Sequence, residues 1–391
     1  MAVNSMAIED AYTLVNAIHQ QVTGNTSLTA TDLSSFISVA QATLQAGYDP
    51  VMNAISQVLT RTIFAVRPYD RHFKGLEVTS DRWGGIIRKI SFDDSAAESE
   101  ETYALTDNTS YDQYVVKNPK ALETHYVGSD AWVGKYTIYT KSLDEAFQSP
   151  SAFGEFMSSL LTHFANQREQ WLEGMSRTAL INMMAAKVDA NDTASIVNLL
   201  TEYNTATGLT LTTTTVRQPA NFPAFIKWAV ARVEQISALM TERSSLYQFP
   251  ITGFDINRHT PRELQKVYIN NDFKVHMDAE VLTDAFHDNY IKLTDYEGVN
   301  FWQAIGSPLD INAKPVYIDG SGAVKVASAA VSVSNIIGVM FDRDAIGLNI
   351  YDNSLAYTPY NARGQYYNLY AHSRVQYQND LTEKFVILKL A

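Results

Sequence analysis

One apolar stripe repeats at helical spacing from Ser149 to Val188. Ser149 followed by Pro150 is typical of a helix start, because a side-chain acceptor is followed by a ring whose missing N–H costs nothing there. The pattern predicts a helix about 60 Å long, more than the diameter of a compact domain. An ordinary core helix, broken near Gly154 or Gly174, is the alternative. The stripe comprises Phe153, Phe156, Met157, Leu160, Leu161, Phe164, Trp171, Leu172, Met175, Ala179, Leu180 and Met183.

Three shorter helical patterns occupy residues 1–66. The first ends near Gly24, the second begins at Asp32, and the third opens at Asp49-Pro50. The segment carries few charged residues. Its helices are therefore suited to pack on neighbouring subunits as readily as on their own domain.

Residues 67–135 mix glycine, charge and β-forming residues. IIRKISF predicts a strand, and the acidic run DDSAAESEE that follows is typical of a solvated loop tip. Two strands flanking such a tip form a long hairpin that is too polar to hold a core of its own. We expect this hairpin to lie on another surface.

The following stretch joins a strand to the long helix. AWVGKYTIYTK alternates as a strand does, and Ser142 with Glu145 predicts a capping box on a short helix. After the long helix, residues 189–220 are rich in threonine and turn-forming residues. TGLTLTTTTV there predicts a strand or a loop.

Residues from about 221 to 340 alternate helices and strands. A helix is predicted near Pro223, FPITGFDI is typical of a buried strand, and Thr260 with Glu263 predicts another capped helix. The chain then returns to strands. FVILKL is apolar on nearly every residue, which predicts a central place in a sheet.

Composition excludes several classes of protein. The net charge of −12, from 30 basic and 42 acidic residues, argues against generic binding to nucleic acid or anionic membranes. The absence of cysteine excludes disulfides, thiolate nucleophiles and Cys–zinc sites. We find no signal-peptide pattern and no apolar run long enough to span a bilayer. These features predict a soluble protein made in the cytoplasm.

We find no catalytic, cofactor or metal signature. Nucleotide-binding, zinc-protease and nucleophile-elbow motifs are missing from the sequence. Four acidic or histidine groups remain. The first two are interpreted as polar helix surface, the third as local ion pairs or turn hydrogen bonds, and the fourth as a flexible loop. They are His276 with Glu280, Asp284 and Asp288 around His287, Asp342 with Asp344, and Asp93 and Asp94 with Glu98.

The order of parts, together with three stretches, carries a family resemblance. A helical arm, a long polar hairpin, a strand, a very long helix, an α/β region and closing strands follow one another. Three stretches resemble the corresponding strands of the HK97-like major capsid proteins of tailed bacteriophages: IIGVMFDRDAIGLNIYD, HSRVQYQNDLTEKFVILKL and KPVYIDG. The likeness covers about residues 67–391 in organisation, and 331–391 in residue pattern.

The resemblance implies an α+β fold divided into the parts of that family. These are the N-terminal helical arm (1–66), the extended β-hairpin or E-loop (67–135), the P-domain with its spine helix at about 149–188 (136–220), the A-domain (221–340) and the closing P-domain strands (341–391).

It further implies a structural protein of the virion, without catalytic role or cofactor, that assembles in the host cytoplasm into an icosahedral head shell. Hexamers and pentamers of the chain would enclose packaged DNA without binding it specifically. Its partners would be a separate scaffolding protein, a portal and decoration proteins. The scaffolding protein is expected to be separate because residues 1–66 lack the high charge of a built-in scaffolding segment. The alternatives are an encapsulin-type nanocompartment shell and an α+β enzyme using carboxylates.

The acidic hairpin tip needs basic partners, and pairing between subunits is one way to supply them. Some members of the family crosslink a loop lysine to an asparagine of a neighbour. Lys74 and Lys89 are available in the loop, but nothing in the sequence marks either as reactive. The predicted intersubunit residues are Arg61, Arg67, Arg82, Trp83, Arg88, Lys89, Asp93, Asp94, Glu98, Glu100 and Glu101.

Overall fold

The computed structural model describes residues 8–62, 71–78, 86–94, 120–127, 130–276 and 296–391, with 106–108, 110, 114, 116 and 118. Its helices are α1 (Ile8–Thr23), α2 (Leu33–Gln45), α3 (Tyr48–Thr62), α4 (Thr140–Ala146), α5 (Pro150–Asp189), α6 (Leu199–Thr207) and α7 (Phe222–Thr241). Its strands are β1 (Glu77–Val78), β2 (Ile86–Phe92), β3 (Ala121–Val127), β4 (Asp130–Tyr139), β5 (Ile196–Asn198), β6 (Gln265–Asn270), β7 (Tyr296–Val299), β8 (Ile311–Ala313), β9 (Val316–Ile318), β10 (Val324–Val326), β11 (Val331–Val333), β12 (Ile336–Asp342), β13 (Ile346–Tyr357), β14 (Tyr366–Asn379) and β15 (Phe385–Lys389).

Two larger sheets organise the described strands. One has the order β1-β13-β14-β4, and the other has the order β5-β15-β12-β6-β7. Strand β15, which contains FVILK, lies inside the second sheet between β5 and β12, so its predicted central place is confirmed. β13 and β14 lie in the first sheet, so the closing strands are shared between both.

Helix α5 is continuous over 40 residues and confirms the predicted long helix. The Ser149 hydroxyl accepts a hydrogen bond from the Ala152 N–H at 3.2 Å, and Pro150 follows it, as the sequence indicates. Gly154 and Gly174 do not break the helix. They cost helix stability locally, but both ends of α5 are held by packing against different sheets.

The first half of α5 belongs to one hydrophobic core. Helices α1, α2 and α3 pack there against α5 and the four-stranded sheet, so the helical arm packs on its own chain. Asp32 caps α2 as predicted, and its carboxylate accepts from the Ser35 N–H at 2.7 Å. Side chains of this core include Val15, Phe36, Ile55, Phe153, Leu160 and Tyr367.

The second half of α5 covers one face of the five-stranded sheet, while α6 and α7 cover the other. Alternation along β12 sends Val339 and Phe341 toward α5 and Met340 toward α7. A strand buried on both faces needs apolar residues at every position. This explains the continuous apolar run of IIGVMF.

Two predicted helix starts are wrong. Helix α4 begins at Thr140 rather than at a Ser142 cap, because Tyr139 still pairs with Tyr366 in the sheet and fixes where the helix can begin. Thr260 does not cap a helix either. Its hydroxyl donates to the Asp342 carboxylate at 2.6 Å, and only one 3₁₀ turn precedes β6.

The predicted buried strand FPITGFDI is also wrong. The Phe249 N–H donates to the Leu381 carbonyl at 2.9 Å, whereas the Thr252 N–H donates to the Gly320 carbonyl at 2.7 Å. Because its main chain bonds two separate segments, this stretch forms no regular ladder. A turn at Gly253, with φ at 86°, reverses it. The residue boundaries of the predicted five-part division stay a prediction.

Candidate functional site

Strands β2 and β3 form the antiparallel hairpin expected from the sequence. Ile86 pairs with Val127 at one end and Phe92 with Ala121 at the other. The acidic tip predicted to join the two strands lies largely outside the described residues. Alternation gives the hairpin an inner face that lies on the body of its own chain and an outer face in solvent.

The inner face is held by a cluster of buried charges. The Lys89 ammonium lies 2.5 Å from the Asp380 carboxylate and 2.5 Å from the Glu383 carboxylate, both on the turn between β14 and β15. The Arg258 guanidinium adds a second cation, 3.3 Å from Glu383, and donates to the Ser91 hydroxyl at 2.6 Å. Two cations therefore face two anions under the hairpin, a group that we call the hairpin seat.

Burial and pairing act in opposite directions on these groups. Burial alone lowers the pKa of Lys89, but the charges of Asp380 and Glu383 outweigh it and the pKa of Lys89 is raised. Burial likewise tends to raise the pKa of Asp380, but the charge and hydrogen bond of Lys89 hold it below its ordinary value. Burial dominates for Glu383, so its pKa is raised. Lys89 and Asp380 are therefore a charged pair at neutral pH.

Main-chain bonds continue the hairpin seat past the end of β2. The Asp94 N–H donates to the Asp255 carbonyl at 2.7 Å, and the Asp255 N–H donates to the Asp93 carboxylate at 2.6 Å. The Asp94 carboxylate accepts from the Asn257 N–H at 2.9 Å and pairs with Arg243. Asp93 and Asp94 thus have partners within the same chain.

The outer face of the hairpin exposes apolar side chains beside charged ones. The exposed fractions are 46% for Ile90, 67% for Phe92 and 70% for Val127. Beside them, Arg88 donates to the Glu123 carboxylate at 3.0 Å, and this hydrogen bond lowers the pKa of Glu123. A β-face of this composition is typical of a surface that another protein covers.

Only some of the predicted intersubunit residues fall in the described part of the chain. Lys89, Asp93 and Asp94 bond to their own subunit, and Arg88 lies on the outer face. Arg61 belongs to α3, but its side chain lies outside the description. The intersubunit role of the whole set stays a prediction. Also outside the described residues are Arg67, Arg82, Trp83, Glu98, Glu100 and Glu101.

The partners in the hairpin seat were not predicted from the sequence. Lys89 and Asp380 are 291 residues apart, and neither sits in a motif that points to the other. The NDLTEK turn shows only that charges flank a closing strand. Their pairing becomes apparent only once β3 is placed beside β14.

The structure gives Asp342 a local role, whereas Glu280, Asp284, His287 and Asp288 lie outside the described residues. The Asp344 N–H donates to the Asp342 carboxylate at 2.8 Å, which confirms the predicted turn hydrogen bond. Across the described residues, no cluster of three histidine or acidic side chains is arranged to hold a metal ion. No helix described there has both the length and the apolar character needed to cross a bilayer.

We expect the hairpin seat to respond to loss of Lys89. Lys89→Met removes the cation that pairs with both Asp380 and Glu383, so it should lower the free energy of unfolding by about 1–2 kcal/mol. It should also speed amide hydrogen exchange in residues 86–92 and 121–127. Arg88→Met, one residue away on the exposed outer face, is the matched control and should change stability by less than about 0.5 kcal/mol. Equal exchange rates in the two variants would contradict the claim that the hairpin seat holds the hairpin on its own subunit.

Comparison with solved structures defines the class of protein. A chain in the structure of the head fiber and inner core protein gp22 of native bacteriophage P68 matches with a TM-score of 0.54 and 10% identity, covering 82% of this chain and 85% of that one. A chain of the capsid structure of Staphylococcus phage Andhra matches with a TM-score of 0.51 and 11% identity, covering 82% and 84%. The chain therefore has the α+β, HK97-like fold of tailed-phage capsid proteins.

The family follows from the sequence itself. The model of the Phi29-like phage major capsid proteins matches residues 15–389, and the chain belongs to that family. It is a structural protein of the virion that self-associates into the head shell of a tailed phage. No curated protein matches the sequence. The family match decides against the nanocompartment alternative.

Proposed function

We propose that the outer face of the β2–β3 hairpin packs against a neighbouring copy of the chain in the head shell. The observation that carries the proposal is the contrast between the two faces. Lys89 fixes the inner face to its own subunit, whereas Ile90 and Phe92 project into solvent. A hairpin held rigidly in this way loses little conformational entropy when its outer face is covered.

Electrostatics supports the same arrangement. Each copy carries a formal net charge of −12, so copies repel one another unless the contact surfaces are apolar or paired. On the outer face, Glu123 is already paired with Arg88 and lies 2.8 Å from His125. The face therefore offers apolar area with little uncompensated charge.

The experiment replaces outer-face residues with threonine, which favours strands but is polar. We expect the double variant Ile90→Thr/Phe92→Thr to reduce the association constant at least about tenfold, because burying one such side chain is worth about 1.5–3 kcal/mol. The measurement is the fraction of chain in shells, by sedimentation after expression with the other head genes. Ile90→Val/Phe92→Leu, which keeps the face apolar, is the control and should assemble normally. Normal assembly of the threonine variant would contradict the proposal.

We infer the remaining partners from the family and from charge. The low charge of residues 1–66 supports reliance on a separate scaffolding protein, with a portal and decoration proteins completing the head in the host cytoplasm. The net charge of −12 supports a shell that encloses DNA without binding it specifically. The structural role of the family supports a chain with no catalytic function and no cofactor.

A further inference from the structure

The β9–β10 hairpin has its apolar and polar faces reversed. Val316 pairs with Val326 and Ile318 with Val324, so these four side chains share one face, which we call the β9–β10 face. The exposed fractions are 45% for Val316, 74% for Val324 and 57% for Val326. A hairpin lying on a protein normally turns its apolar residues inward and its polar residues outward.

The opposite face explains why the hairpin is reversed. The Tyr317 hydroxyl donates to the Asp189 carboxylate at 2.7 Å, at the C-terminal end of α5. The Lys325 ammonium lies 2.9 Å from the same carboxylate and donates to the Tyr317 hydroxyl at 2.9 Å. A polar triad therefore anchors the hairpin to the end of the long helix, and the aliphatic side chains are left pointing away from it.

Two further contacts make the hairpin a rigid platform rather than a loose loop. The Asn182 side chain accepts from the Val316 N–H at 2.8 Å and donates to the Val316 carbonyl at 2.9 Å, so it fixes β9 to α5. At the turn, the Asp319 carboxylate accepts from the Ser321 N–H at 2.9 Å, and Gly322 takes a φ of 81° that favours glycine. The face is thus preorganised for binding.

We propose that the β9–β10 face is a second contact between copies of this chain in the shell, distinct from the β2–β3 hairpin. This inference rests on the self-association of the family, and it names further residues through which the copies would contact one another. The self-association of the family points to a second copy as the occupant, and the charge pattern of the face is compatible with it. The face has no ionisable side chain, and Lys325 behind it is neutralised by Asp189. For chains that each carry −12, uncharged apolar faces are where copies meet with least repulsion.

The first test keeps the shape of the face and changes its polarity. Val324→Thr/Val326→Thr is nearly isosteric and keeps β-propensity, whereas the control Val324→Ile/Val326→Ile keeps the face apolar. We expect the threonine variant to lower the assembled fraction at least tenfold at a concentration where the wild type and the isoleucine variant form shells. Its far-UV circular dichroism and thermal midpoint should match those of the wild type, since both positions are exposed. Wild-type assembly of the threonine variant would overturn the inference.

A second measurement identifies the occupant. A photo-crosslinker at position 326, Val326→p-benzoylphenylalanine, is activated in assembled particles produced with the other head proteins. A product of twice the 43.6 kDa chain mass, lost when particles are dissociated first, is expected. A product joining the chain to a different head protein would overturn the second copy as occupant. Absence of any product in assembled shells would overturn the contact itself, and would leave the β2–β3 proposal untouched.

Discussion

Lys187→Ala is expected to lower the free energy of unfolding by about 3–5 kcal/mol, because it removes one partner of a buried ion pair. Lys187 is fully buried in the last turn of α5, and its ammonium lies 2.8 Å from the Asp192 carboxylate. It also donates to the Leu381 carbonyl at 3.1 Å. Burial lowers the pKa of Lys187, although Asp192 opposes this shift. Without the ammonium, the Asp192 carboxylate would keep only the Ser195 hydroxyl at 2.8 Å as a side-chain partner.

A double variant separates the charge from the packing. Lys187→Met keeps most of the buried volume but still leaves the Asp192 carboxylate without its cation, so it should be nearly as destabilising as the alanine variant. Lys187→Met/Asp192→Asn removes both charges and should recover most of the stability, since a buried pair replaced by neutral groups costs little. Chemical denaturation of the four proteins measures this. A double variant as unstable as Lys187→Met would contradict the account.

Phe341→Ala is expected to cost about 3–5 kcal/mol through the cavity that it leaves in the five-stranded sheet. The Phe341 ring lies between two others, with centroids 5.8 Å from Tyr268 and 5.4 Å from Phe385. These rings join three neighbouring strands, β6, β12 and β15, beneath α5. Loss of the middle ring therefore loosens the packing that holds the closing strand.

The control is Phe341→Leu, which keeps most of the volume and should cost no more than about 1.5 kcal/mol. Thermal or chemical unfolding of both variants provides the comparison. If alanine and leucine at position 341 were equally tolerated, the sheet would not depend on this stack, and the assignment of Phe341 to the core between β12 and α5 would be wrong.

The sequence predicts best where one period runs through a long element. The stripe that begins at Phe153 predicts α5 within a residue or two, because one amphipathic pattern persists over many turns. The apolar run at Phe385 predicts a central strand for a different reason, because a strand buried on both faces is apolar at nearly every position. Thr260 shows the limit of such prediction. A local capping pattern is overridden there because Asp342, far along the chain, takes the hydroxyl.

The candidate site could be predicted only in part. The hairpin follows from the strand pattern of IIRKISF and the acidic residues after it, and the need for basic partners follows from charge. Which partners are used depends on the tertiary fold, since Asp380 and Arg243 are distant from the hairpin in sequence and lie beside it only in the folded chain. The reversed β9–β10 face also depends on Asp189 at the end of α5, which short-range alternation around Tyr317 does not reveal.

The most direct measurement is electron microscopy of the full-length protein purified after expression with the neighbouring head genes. We expect closed shells, or rings of five and six subunits, with the outer face of the β2–β3 hairpin covered by an adjacent copy. A monodisperse monomer under every condition would contradict the central claim that this chain is the subunit of a phage head shell.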